Sequence, residues 1–233
     1  MSGMNKSGVP WADYTWNPIE GCSPASEGCA HCYAATFAKR FHRPWGAPVA
    51  HDWKLSEPCN TRKPGRVFVC STSDFFHESM NGDFQSGMTL EMAQDQRHTF
   101  ILLTKRPQNI RRWMDRCIGD GLWPLPNVWL GVTAENQARY DERWPILASI
   151  PAFVRFVSVE PELSPVSIID WACVGLPDWV IAGRENGSGA RPCDMFGHLT
   201  LAKDCTECHI PFFDKHDPSE PTFTRREFPA PRK

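Results

Sequence analysis

The 233-residue chain is 41% hydrophobic and 22% charged, the balance of an ordinary globular domain, and is long enough to bury a core without disulfides or a metal. Its 25 basic and 27 acidic residues leave a formal charge of −2, which excludes a generally basic nucleic-acid binder but leaves room for a local basic groove. No apolar run approaches the roughly 18–20 residues that span a bilayer, and the opening MSGMNKSGVPW has no apolar signal region, so a cytoplasmic protein is expected.

Residues 1–15 read as an N-terminal arm. Residues 31–43 place Tyr33, Phe37 and Phe41 at i, i+4, i+8, on one face of a helix. Five runs rich in Val, Ile and Phe follow: 66–71, 99–103, 127–132, 153–159 and 179–182, with a shorter one at 211–213. None alternates apolar and polar residues for long, which suits strands of a parallel sheet buried on both faces. Between them, residues 107–118 carry Ile110, Trp113, Met114 and Cys117 at helical spacing. Residues 137–149 align Tyr140, Trp144 and Leu147, with Pro145 expected to break or kink that helix. Strand and helix alternate as repeated βα units with right-handed crossovers, so the fold class is α/β, an open sheet or a partial barrel. One domain over residues 1–217 is expected, and 218–233 is a Pro- and Arg-rich tail expected to pack loosely.

Polar residues cluster just past the strands: Ser71-Thr72-Ser73-Asp74, Thr104-Lys105-Arg106, Thr133-Ala134-Glu135-Asn136, Glu160-Pro161-Glu162 and Gly183-Arg184-Glu185-Asn186. Ligands of βα folds bind at the carboxyl ends of strands. Solvation alone explains one such loop better than it explains five in succession.

Ten cysteines in a chain without a signal segment serve metals or chemistry more often than disulfides. Cys22, Cys29 and Cys32 form a C-x6-C-x2-C loop leading into a helix, flanked by Gly21 and Gly28. Thiolates on such loops hold iron–sulfur clusters. Three ligands on a four-iron cube leave one iron open to a substrate or cofactor. A zinc site completed by His31 or a distant cysteine, and plain buried thiols, are the competing readings.

The loop resembles that of the radical S-adenosylmethionine (radical SAM) superfamily, although that superfamily usually has three residues in the first gap and an aromatic where His31 stands. The phrases WNPIEGC, GCAHCYA, STSDFFHE, HTFILLTKRP, NVWLGVTAEN, RFVSVEP, WVIAGRENGSGARP and PFFDKH, spread from about residue 11 to 216, are similar to a small phage- and prophage-associated branch named after two phage gene products. Arg184, Asn186 and Asp214-Lys215-His216 depart from that branch, on the presumed substrate side. The resemblance implies a partial (βα)6 barrel of the TIM-like kind, with Cys22, Cys29 and Cys32 holding a [4Fe–4S] cluster. S-adenosylmethionine (SAM) would bind the open iron, and reduction by an external electron donor would yield a 5′-deoxyadenosyl radical that abstracts a substrate hydrogen. Carried over residue by residue, Ser71, Ser73 and Asp74 fall where the SAM amino group is held. Thr104, Lys105 and Arg106 fall near its ribose or carboxylate, and Gly183 and Glu185 near its adenine. His31 and Tyr33 flank Cys32 on the cofactor side. By analogy with phages, the substrate is expected to be a nucleobase or modified nucleotide in DNA, such as an amino-acid-modified thymidine that is isomerised.

Glu160 and Glu162, with Lys105, are candidate catalytic groups, though the two carboxylates serve equally well as caps. Arg191 is a phosphate or carboxylate grip or a surface ion pair. Cys193, Cys205 and Cys208 with His209 or His216 are a possible second metal set, or helix-packing residues. Cys70, Cys117 and Cys173 read as core thiols, and His77 as a buried imidazole. A non-catalytic zinc- or iron–sulfur-binding sensor or scaffold is the alternative to an enzyme.

Overall fold

The computed structural model describes residues 2–119, 121, 123–187, 189–215 and 225–230. Strands β1 (Asn5–Lys6) and β2 (Tyr14–Trp16) come first, so the segment read as an arm supplies two strands, paired antiparallel through Asn5–Thr15 and Lys6–Tyr14. A small hairpin, β3 (Ile19–Glu20) with β4 (Val49–Ala50), brackets α1 (Tyr33–Arg40). Then follow α2 (Glu57–Asn60), β5 (Arg66–Val69), α3 (Gly82–Gln94), β6 (Thr99–Thr104), α4 (Ile110–Gly119) and β7 (Val128–Thr133). The described chain ends with α5 (Gln137–Ala148), β8 (Val154–Val159), β9 (Trp179–Ala182), α6 (Met195–Glu207) and β10 (Phe212–Asp214).

Eight strands form one sheet in the order β1-β2-β5-β6-β7-β8-β9-β10, and from β2 onward every pairing is parallel. All six apolar runs are strands of this sheet. They are apolar on both faces because each face meets a different core. On one face, Val69, Leu102, Leu130, Val132, Val157 and Val180 pack with Met88, Trp113, Tyr140, Trp144 and Leu201 from the helices. On the other, Trp11, Ile101, Phe156, Trp179, Ile181 and Phe213 form a second cluster with Phe68, Leu103 and Trp129. Gly131 makes room there, since a Cβ would lie 2.2 Å from the Phe156 ring.

Four expectations change. Helix α5 continues three residues beyond Pro145 to Ala148, held by Tyr140, Trp144 and Leu147, which are fully buried. Helix α1 buries Ala34 and Ala38, while the aromatic face of Tyr33, Phe37 and Phe41 is exposed. Cys173 is exposed rather than in the core. The tail's described part is docked: Arg226 bridges Phe213, the Trp179 indole N–H donates to the Glu227 carbonyl at 2.9 Å, and the Phe228 ring packs on Trp179. Helix α3 escaped the sequence reading, and α6 entered it only as the helix end at Cys205 and Cys208. Each has a clear N-cap, Asn81 and Asp194 respectively, accepting two backbone N–H bonds.

Candidate functional site

The carboxyl ends of the parallel strands open onto a cavity of about 630 Å³. Its wall includes all three loop cysteines together with Ser71, Ser73, Asp74, Thr104, Lys105, Arg106, His31, Tyr33, Glu160 and Glu185. Parallel pairing brings these together, because it places the carboxyl ends of β2 and β5 to β10 at one edge of the sheet. Two predicted residues lie elsewhere. Gly183 is behind the wall, where an added Cβ would press on Lys215 Cβ at 3.1 Å. Glu162 is buried in a separate ionic group, with His198 Nδ1 at 2.8 Å, and His198 Nε2 in turn 3.1 Å from Asp214.

The cysteine loop starts at a tight point. Gly21 has φ +92°, and a Cβ there would lie 2.3 Å from the Ala47 carbonyl oxygen. The neighbouring Glu20 carboxylate binds Arg43 at 2.8 Å and Lys54 at 2.9 Å. Cys22 sits against the Arg106 guanidinium, with Nη1 3.7 Å from its sulfur. Burial and the Asp74 charge push the Cys22 thiol up to about 11, and Arg106 opposes them. Cys29 closes a single 3-10 turn and receives the Ala25 N–H at 3.4 Å, and Cys32 is the N-cap of α1.

Most of the predicted polar residues hold this loop to the sheet. Asp74 accepts the Thr104 hydroxyl at 2.7 Å, the Lys105 N–H at 3.2 Å and Arg106 Nη1 at 3.3 Å. Arg106 also donates to Glu78 at 2.7 Å and to the Ser23 carbonyl at 2.9 Å. His77 accepts the Ser79 N–H on Nδ1 at 3.1 Å, so its Nε2–H donates to the Ser23 hydroxyl at 2.8 Å. That tautomer is the neutral imidazole, and burial and Arg106 hold its pKa below the usual histidine value. Ser73 donates to the Gly21 carbonyl at 2.5 Å, Ser71 exchanges bonds with Asn17, and the Tyr33 hydroxyl donates to the Ser71 carbonyl.

The far side of the loop is clamped by Glu135, a residue named among the strand ends but absent from the predicted site. It is fully buried, with Arg143 Nη1 at 2.8 Å, Lys105 Nζ at 3.7 Å and the Ser26 hydroxyl bonded to it. Arg191 holds Glu185 through its side chain and its backbone N–H, the latter at 2.9 Å. The Arg191 pair holds the Glu185 carboxyl down at about 2. The other Glu185 contact is His31 Nδ1 at 3.0 Å. Arg191 is therefore an ion pair that also reaches the loop, 3.2 Å from the Glu27 carbonyl. Also lining the cavity, Lys215 pairs with Glu160.

Among the described residues, no three His, Cys, Asp or Glu side chains converge as the ligands of one metal ion would. Cys205 is buried in the α6 core, and burial pushes both it and Cys193 up to about 12. His216, named for a second metal, lies outside the described residues. Cys70 and Cys117 are buried in the core.

A family model described as "Protein of unknown function (DUF5131)" matches residues 6–220. No curated protein matches. Among solved structures, the fold is similar to a spore photoproduct lyase double mutant with bound AdoMet and dinucleoside spore photoproduct, at TM-score 0.55 and 12% identity over 77% of this chain and 57% of that one. A spore photoproduct lyase complexed with dinucleoside spore photoproduct matches at TM-score 0.54 and 12% identity over the same shares. The chain thus spans little more than half the length of these structures, and at this identity the likeness shows the fold alone.

Proposed function

The chain belongs to the family described as protein of unknown function, DUF5131, a membership that names no reaction, and we propose that it is a radical SAM enzyme whose sheet is the partial barrel of that superfamily. The observation that carries this reading is the placement of Cys22, Cys29 and Cys32 on one wall of the strand-end cavity, beside Ser71, Ser73 and Lys105. A four-iron cube takes its thiolates on separate irons, so sulfurs spread along a cavity wall suit it better than one tetrahedral zinc. When bound, the [4Fe–4S] cluster with SAM supplies the 5′-deoxyadenosyl radical that abstracts a substrate hydrogen.

This chain's residues do the positioning. Arg106 and Asp74 fix the loop at Cys22, and Glu135 fixes it at Ser26. Lys105 lines the cavity with its ammonium beside Glu135, and is the cation we assign to the SAM carboxylate. Asp74 and Arg106 are already fully engaged within the protein, so their part is to hold the loop. Glu160 and Lys215 face the same cavity as a charged pair and are placed to bind or move a proton at the substrate.

For the substrate we propose a nucleobase or modified nucleotide, following the resemblance to the phage branch. Isomerisation of an amino-acid-modified thymidine is the form of this reading that a hydrogen-abstracting radical fits. An external electron donor is required. The reading is tested by anaerobic reconstitution of the wild type and of Cys22→Ala, Cys29→Ala and Cys32→Ala. About four irons per wild-type chain, lost in each variant, is the expected result. Full iron in any one of the three would remove that cysteine from the ligand set.

A further inference from the structure

We propose that the inner end of the cavity binds a neutral, planar, carbonyl-bearing ring, with the Trp11 indole N–H and the Ser158 hydroxyl as its hydrogen-bonding groups. The inference rests on the radical SAM reading insofar as the cofactor takes the cysteine side and leaves this end to the substrate.

Buried polar side chains almost always have partners. Among the described residues, nine buried side-chain nitrogen or oxygen atoms have none, and two of them, Trp11 Nε1 and Ser158 Oγ, belong to residues that line the cavity. Trp11 is 1% exposed and Ser158 0%. They come from separate parts of the chain, Trp11 from the loop between β1 and β2 and Ser158 from β8. Two residues from distant segments, each with an unpaired polar atom, line one cavity, an arrangement that a ligand's hydrogen bonds would complete.

The surroundings select the ligand. Trp11 packs against Phe68 with ring centroids 4.6 Å apart and planes tilted by 55°, and Phe68 and Leu103 line the cavity beside it. None of Trp11, Phe68, Leu103 and Ser158 is ionisable, so a charge placed against them would be uncompensated. The indole N–H only donates and therefore calls for an acceptor, which a ring carbonyl supplies; the hydroxyl donates or accepts. The charged pair of Glu160 and Lys215 begins two residues beyond Ser158 at the strand end. The arrangement is apolar within and charged above, and it suits a base or similar ring whose polar substituent points toward the opening. The cavity volume is within the range of small-molecule sites.

Equilibrium dialysis of thymidine, adenosine and SAM against the reconstituted wild type, Ser158→Ala and Trp11→Phe tests the site. Thymidine should bind the wild type, and each substitution should weaken it roughly 2- to 12-fold, the loss of one hydrogen bond, with SAM affinity unchanged. Equal thymidine binding by wild type and variants, or no thymidine binding by a wild type that binds SAM, overturns the proposal. A fall in SAM or adenosine affinity in the variants, with thymidine unaffected, gives the groups to the cofactor's adenine and also overturns it. Thymidine binding by a wild type that fails to bind SAM would keep the ring site and remove the radical SAM reading. Ser158→Ala should also leave the ligand-free melting temperature unchanged or raised, because an unpaired buried hydroxyl stabilises nothing. A lowered value would reveal a structural partner and count against the site.

Discussion

Gly28→Ala should dislodge the cysteine loop although it changes no ligand. An added Cβ would lie 2.3 Å from Glu135 Oε1, 2.4 Å from its Cγ and 2.7 Å from its Cδ, all far inside van der Waals contact. Glu135 has nowhere to retreat. It is fully buried and held by Arg143 at 2.8 Å and by the Ser26 hydroxyl. Either the loop moves outward, breaking the Ser26 bond and shifting Cys29, or the carboxylate moves and strains its ion pair. Overpacking of this kind costs about 1–3 kcal/mol, and for a domain of this size each kcal/mol lowers the melting temperature by about 2–4 °C. Thermal melts and iron content after anaerobic reconstitution measure both effects. Because the clash is with one side chain, Glu135→Asp, shorter by a methylene, should recover part of the loss in the Gly28→Ala background while being harmful alone. Normal stability and full iron in Gly28→Ala would refute the clamp.

Lys105→Ala should weaken SAM binding roughly 10- to 150-fold, about 1.5–3 kcal/mol for a charge-assisted contact, with iron content unchanged; normal SAM affinity, or a lost cluster, would contradict the assignment. Cys70→Ala and Cys117→Ala should retain full iron and lose a few kcal/mol of stability at most, and loss of iron in either would show a ligand outside the loop. Burial pushes the His198 imidazolium down, but its bonds to Asp214 and Glu162 outweigh burial and raise its pKa from 6.5 to about 9. The stabilisation is then fully present below about pH 6.5 and fades as pH rises through 9. Melts of the wild type should fall over that window and those of His198→Gln should not, and parallel curves would sink the idea.

The sheet was legible because strands buried on both faces are written as unbroken apolar runs, as in 99–103 and 127–132. The short β1 and β2 were not, because a strand of two or three residues such as Tyr14–Trp16 carries no pattern. Helix α3 hid behind weak amphipathicity, though Asn81 before Gly82-Asp83 was a readable cap. The aromatic periodicity of α1 was real but faces solvent, since periodicity reports a face and not what covers it. In the site, the thiols and the strand-end polar groups could be named from spacing and topology. Their division of labour could not: Asp74 and Arg106 are consumed by each other and by Ser23, Thr104 and Glu78. The pairing of Glu162 with a histidine in the first turn of α6 has no local signal, and neither do unpaired atoms such as Ser158 Oγ.

The central claim is tested most directly by reducing the anaerobically reconstituted protein with dithionite in the presence of SAM and measuring 5′-deoxyadenosine. The account predicts a brown protein with about four irons per chain that forms 5′-deoxyadenosine, and none from Cys22→Ala, Cys29→Ala or Cys32→Ala. A colourless protein holding one zinc and no iron, or an iron-loaded protein that leaves SAM intact, would contradict it.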